Sequence, residues 1–285
     1  MLTAVLLSVL TAALFGVNVY VQRAALADTD AGTGALLSVL GMAGLFWLGA
    51  PWFVQLQWFA SPALGLFLLI GVIWPAMGQT LQVASVQKVG AALTMSIGSI
   101  TPLVAIALAM VLVNEPITLT LAIGVLTMVA GLVVAAWGPK HGARPFAVWM
   151  LLLPAGAALA RGLAQPLSKL GMETVPSPYF VTLVAGTVSS LVLCALYLLS
   201  KRPRRRSARG TWLFLFSGAV NGVGIFFLNS ALALGQVGVV ASIVATAPLW
   251  TLLFGAAWFK QEKLTMRHLV VAVFVFAGSV LVVGR

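Results

Sequence analysis

Runs of about twenty mainly apolar residues, the length an α-helix needs to cross the hydrocarbon core of a bilayer, follow one another down this chain. Ten can be drawn: Leu2–Tyr20, Gly34–Val54, Ala63–Val83, Ala91–Leu112, Thr118–Trp137, Phe146–Gln165, Tyr179–Leu199, Thr211–Leu232, Gly238–Phe259 and Arg267–Val283. The separators, such as "QKVG", "NEPITL" and "KRPRRRSARG", are polar or turn-forming. A soluble domain is about one quarter charged. These 285 residues are 7% charged and 61% hydrophobic, which leaves too few charges to cover a globule in water. An all-α integral membrane protein with ten transmembrane helices is therefore expected. Connections as short as "QKVG" make neighbours antiparallel. The opening "MLTAVLLSVLTAALFG" lacks the positive segment of a signal peptide and is read as a retained first span.

An internal repeat organises the ten runs. "SIGSITPLVA" (residues 96–105) and "SIVATAPLWT" (residues 242–251) share the frame S-I-x-x-x-x-P-L, with Pro102 and Pro248 146 positions apart. A step of 147 then relates Glu115 to Glu262, Thr118 to Thr265, Ala130 to Ala277 and Gly131 to Gly278. Two five-helix repeats are expected, residues 1–140 and 141–285. Because five is odd, the second repeat inserts upside down relative to the first, as in many secondary transporters, around a central cavity.

The net charge of +11 does not imply a nucleic-acid partner. Lys201, Arg202, Arg204, Arg205, Arg206 and Arg209 form one loop cluster, and most other cations sit at the ends of apolar runs, where topology determinants belong. Membrane lipid is the expected neighbour, and the cluster lies where it meets anionic headgroups. Arg23, Lys88, Lys140, Arg144, the cluster, Lys260, Lys263 and Arg267 fall on one face, with Lys169 and Arg285 on the other. The positive-inside rule then places both termini outside the cytoplasm. The single cysteine, Cys194, reads as a small buried hydrophobe.

Pro102 lies halfway along its run, and Pro248 is placed similarly. A proline inside a helix removes a donor and clashes with the preceding turn, and in lipid the freed backbone groups need cover or a wet cavity. Each alone reads as a packing kink. As a pair in matching frames they read as hinges at a transport site near the midplane. Ser96, Ser99, Ser242 and Thr246 would give polar cover and ligands at the breaks. The amides Asn18, Gln79, Gln165 and Asn229 act either as interhelical glue or as cavity groups, and Gln82 and Asn221 are further amides within spans. Arg161, one turn before the drawn end of its span, either meets a substrate carboxylate or snorkels to the headgroups. Trp74 and Trp250 are the tryptophans deepest within spans and either wall a cavity or pack between helices.

The five acidic residues, Asp28, Asp30, Glu115, Glu173 and Glu262, all lie in loops or at span ends. A proton-driven carrier usually holds a carboxylate inside the membrane, so facilitated diffusion or exchange without tight proton coupling is expected. The sequence carries no H-E-x-x-H, G-x-S-x-G or phosphate loop and no Cys/His metal set. No enzyme activity, cofactor or metal is expected.

With Pro102–Glu115–Ile117–Thr118–Gly131 and Pro248–Glu262–Leu264–Thr265–Gly278 in corresponding places, the chain resembles the EamA-like branch of the drug/metabolite transporter superfamily. Within that branch it looks similar to exporters of aromatic amino acids. The resemblance implies alternating access, a bacterial inner-membrane location, and bending of the fourth and ninth helices at the cavity. Family members are generally described with both termini in the cytoplasm, against the charge count of this chain. The four-span relatives use a carboxylate in their first helix. Here that helix offers Asn18, so drug/proton antiport is not implied. The expectation is a monomeric exporter of small-molecule substrates, amino acids with aromatic or apolar side chains favoured. Rival readings are a nucleotide-sugar or organophosphate carrier, a channel, and a non-transporting membrane scaffold.

Overall fold

The computed structural model describes residues 1–89, 97–98, 100–136, 147–200, 205–257, 273–274, 277–278 and 281–282. Its regular elements are all helices: α1 (Leu2–Leu26), α2 (Ala31–Phe53), α3 (Ala63–Gly71), α4 (Gly78–Val89), α5 (Thr101–Leu112), α6 (Leu119–Ala136), α7 (Leu152–Thr174), α8 (Pro178–Leu199), α9 (Ala208–Leu234), α10 (Val237–Val244) and α11 (Ala247–Ala257). Among the described residues, seven helical stretches are long and apolar enough to cross a membrane, and Thr101–Leu112 and Leu119–Gly131 are shorter apolar helices. The tenth expected run lies largely outside the described residues, as does the start of the fourth.

The helices begin where side chains can satisfy their first free N–H groups. Asp30 accepts from the Thr33 N–H at 3.0 Å to start α2. Ser177 caps α8 through the Phe180 N–H at 3.2 Å, and Ser207 caps α9 through the Gly210 N–H at 2.9 Å. Asp30 also accepts from the Arg205 backbone N–H at 3.0 Å, which ties the α1–α2 turn to the start of α9.

Neighbours in space are rarely neighbours in sequence. The described helices close a ring in which α1 packs on α9, α9 on α2, α2 on α8, α8 on α3, α3 and α4 on α7, α7 on α5, α5 on α10, and α10 on α1. Small residues allow the closest approaches, as is usual between helices in lipid. A Cβ on Gly218 of α9 would overlap the Ser38 carbonyl of α2, and one on Gly41 would overlap the Leu215 carbonyl in return.

Two expectations change on inspection of α7. The apolar run that ends at Gln165 continues as helix to Thr174, with Pro166 inside it. Pro166 is buried along with Gln165, Leu167 and Ser168, so this stretch is packed inside the protein as part of a long helix. Arg161 is consequently near the middle of its span, too deep for its side chain to be read as simply reaching for headgroups.

Candidate substrate site

The site is built around a break in the third span. α3 stops at Gly71, residues Val72–Met77 form a wide helical turn, and α4 starts at Gly78. Pro75 supplies no N–H and drives the residue before it out of the helical region. Trp74 is accordingly extended, with φ −149° and ψ 128°, and the Trp74–Pro75 bond is cis. The Ser189 hydroxyl of α8 donates to the Gly71 carbonyl at 2.7 Å, covering a group that the break would otherwise leave bare in lipid. Gly78 has no side chain in the way, so the Trp74 indole lies directly against it.

That indole forms a platform for Arg161. The guanidinium carbon sits 4.5 Å from the centroid of the Trp74 ring, a cation–π contact that is strongest where water is excluded. One terminal nitrogen, Nη2, donates to Gln82 Oε1 of α4. The inner nitrogen, Nε, is buried and has no hydrogen-bond partner. A guanidinium carries five N–H donors and cannot shed its charge easily, so a neutral amide and a ring leave it under-satisfied.

Trp74, Pro75, Arg161, Gln165, Ser168 and Asn229 border one cavity, whose apolar wall is Ile70, Ala164, Val181, Ala185, Ile225 and Leu228. Its open space is about 30 Å³, room for water-sized molecules. Gln165 is 5% exposed and Asn229 3%. Asn229 Nδ2 donates to Thr182 Oγ1 at 3.0 Å, and the Thr182 hydroxyl donates in turn to the Pro178 carbonyl at 2.8 Å. Gln165 Oε1 is buried without a partner. Arg161, Gln165 and Ser168 follow at i, i+4 and i+7, one face of a helix.

Four residues expected at the site from sequence, Trp74, Arg161, Gln165 and Asn229, thus meet around one space. Gln79 is half-buried and outside the lining. Gln82, one turn further along α4, is the amide that reaches Arg161. Asn18 is 3% exposed with an unpartnered Oδ1, but it belongs to α1 and does not border this cavity. Trp250 packs on Phe254, at 6.0 Å between ring centroids, and against Gly16 of α1. The Ser242 hydroxyl donates to the Gly238 carbonyl at 2.7 Å and the Thr246 hydroxyl to the Ile243 carbonyl at 2.7 Å, so both cover their own backbone beside the break between α10 and α11. Pro102 and Pro248 occupy the first turns of α5 and α11, where a missing N–H costs least, and neither borders the cavity. Ser96 and Ser99 lie outside the described residues.

A cation, two amides and a hydroxyl around a space between apolar helices suit a membrane transporter, and comparison with known proteins places the chain in that class. The chain is a member of the EamA-like transporter family, whose model matches residues 2–137 and again 148–284. Proteins of Bacillus cereus and Bacillus anthracis named "Putative sugar uptake protein" are 28% identical over 276 residues, covering 91% of this chain and 90% of theirs. A solved crystal structure superposes with a TM-score of 0.82 at 14% identity, covering 98% of this chain and 96% of that one, which establishes the shared fold.

Proposed function

We propose that the chain is an alternating-access transporter of small metabolites, and that amino acids with apolar or aromatic side chains are its principal cargo. Two inverted five-helix repeats, residues 1–140 and 141–285, would rock about the cavity, with the breaks at Pro102 and Pro248 as bending points. The double family match at residues 2–137 and 148–284 supports the repeat. The observation that carries the cargo reading is Arg161 at mid-span, with a buried Nε that has no partner and only a ring and an amide as described polar neighbours. An intramembrane cation without a counter-charge favours cargo that brings one, and a carboxylate matches the planar guanidinium fork. The five acidic residues all lie outside the drawn spans, which supports exchange or facilitated diffusion over proton-driven pumping. Export from a bacterial cytoplasm, by a monomer in the inner membrane, completes the proposal.

The test is counterflow in proteoliposomes against a panel of radiolabelled amino acids and sugars, with and without a pH gradient. Saturable exchange of apolar amino acids, unaffected by the gradient, is the expected result. Concentrative uptake driven by the gradient alone would overturn the uncoupled mechanism. Sugars are the second reading, favoured by the names of the Bacillus relatives and by the ring, amides and hydroxyl that border the cavity. Exchange of sugars without amino acids would select it.

A further inference from the structure

Two polar atoms in the cavity wall lack partners, and they are of opposite kinds. Arg161 Nε carries a proton to donate, and Gln165 Oε1 has lone pairs to accept; both atoms are buried and neither makes a hydrogen bond. The residues are four apart on α7, so their Cβ atoms are about 5–6 Å from each other on one helix face. A buried group left unsatisfied costs free energy, and two such groups of opposite kind side by side in a cavity wall favour a ligand that satisfies both, which the water-sized space admits only when the surrounding helices part. Two nearby amides are engaged elsewhere, Gln82 Oε1 on Arg161 Nη2 and Asn229 Nδ2 on Thr182.

Resting on the transport reading above, we propose that Arg161 and Gln165 form a two-point clamp for a carboxylate that carries a hydrogen-bond donor on the adjoining carbon. The anionic oxygens take the Arg161 Nε–H, and the donor takes Gln165 Oε1. An α-amino group and an α-hydroxyl both supply that donor, so α-hydroxy acids are ligands alongside α-amino acids. The side chain is read loosely, because the remaining wall, including Ile70, Val181, Ile225 and Leu228, is apolar. A neutral hexose meets the acceptor but leaves the guanidinium without a counter-charge, and a simple amine does the same.

The experiment measures binding calorimetrically on the intact detergent-purified protein with five probes of matched size or contrasting chemistry: leucine, 2-hydroxy-4-methylpentanoate, 4-methylpentanoate, 3-methylbutylamine and glucose. Leucine and its hydroxy analogue are expected to bind within about tenfold of each other. The plain carboxylate should bind about tenfold or more weaker, since it leaves Gln165 Oε1 bare, and the amine and the sugar weaker still. Gln165→Leu should weaken leucine to the level of the plain carboxylate while leaving the plain carboxylate unchanged, a difference that general loosening of the fold would not produce. Gln165→Met serves the same purpose if the leucine variant does not fold. Equal binding of leucine and 4-methylpentanoate, binding of glucose or the amine as tight as leucine, or no binding of any probe would each overturn the clamp. Counterflow of the same probes separates the two claims. Bound but unexchanged leucine sinks transport and leaves the clamp, whereas exchanged glucose without leucine binding sinks the clamp and leaves transport.

Discussion

Lys169 Nζ lies 2.7 Å from Glu115 Oε1, joining the loop after α5 to the last turns of α7. The same carboxylate accepts the Val237 N–H through both oxygens, at 2.9 and 2.8 Å, and so caps α10. Lys169 also donates to the Gly235 carbonyl just before that helix. Asn114, in the left-handed region at φ 51°, turns the chain so that Glu115 reaches this position. Three elements are thereby pinned at one face of the membrane, two turns along α7 from Arg161. Glu115→Ala should cost about 2 kcal/mol, since it removes a cap and strands a partly buried ammonium. Exchanging the two charges should not restore the loss, because a lysine cannot accept from the Val237 N–H. Thermal unfolding of the purified variants, together with labelling of a cysteine placed at Ala164 in a Cys194→Ser background, checks both statements. Faster labelling from this face in Glu115→Ala is expected.

Gln82 holds one end of the Arg161 guanidinium over Trp74. Gln82→Leu should free the guanidinium to leave its platform, weakening binding of a carboxylate ligand about tenfold while maximal exchange changes less. Gln79→Leu, one turn away and outside the cavity lining, should change affinity little. Exchange kinetics over a range of ligand concentrations distinguish the two.

Pro102 and Pro248 stand at the starts of half-helices and away from the cavity wall. Replacing either by alanine restores a backbone donor and favours a continuous helix. Exchange should slow several-fold while ligand affinity stays within about twofold. Unchanged turnover at normal expression would remove both from the hinge role.

Asp30 is held below the ordinary carboxylate value of 3.8. Burial pushes it up, and is outweighed by hydrogen bonds from the Thr33 hydroxyl and from the backbone N–H groups of Thr33, Arg205 and Gly32. A lowered folded-state value means that the carboxylate's contribution is complete above its unfolded value and is lost as pH falls through the folded one. Asp30→Ala should lower stability by about 1 kcal/mol near neutral pH, and the difference should shrink in acid as pH falls through the folded value, which lies below 3.8. Thermal melts of wild type and variant across that range check the sign.

How far the site could be read in advance depended on which signals stand out in an apolar background. Arg161, Gln165, Asn229 and Trp74 were legible because polar or bulky residues inside a span are rare. Gln82 was equally visible, but nothing in one sequence says which of two amides a turn apart faces inward. The break at Trp74–Pro75 was missed although Pro75 lies mid-run by the same criterion as Pro102. Pro102 and Pro248 stand out because their frame recurs, whereas Pro75 has Asn221 at the matching step. The end of α7 was drawn short because a polar face on a buried helix and a polar loop look alike until the packing partners are known.

Gly218 is a sharper packing test than any large apolar residue here. Valine at this position would drive its branches into the Ser38 backbone, and α2 and α9 would have to separate. Loss of folded protein on expression is the expected pattern, and Gly218→Ala should share it, because the Cβ alone already overlaps the Ser38 carbonyl.

The interleaved ring of helices also bears on how the molecule is made. α1 and α2 leave the ribosome long before α9 and α8, the partners on which they chiefly pack. Until those arrive, the early helices must sit in lipid with bare glycine faces turned to acyl chains, individually inserted and collectively unassembled. For this chain, docking of late segments onto waiting ones, rather than entry into the bilayer, is where the commitment to a final shape is made.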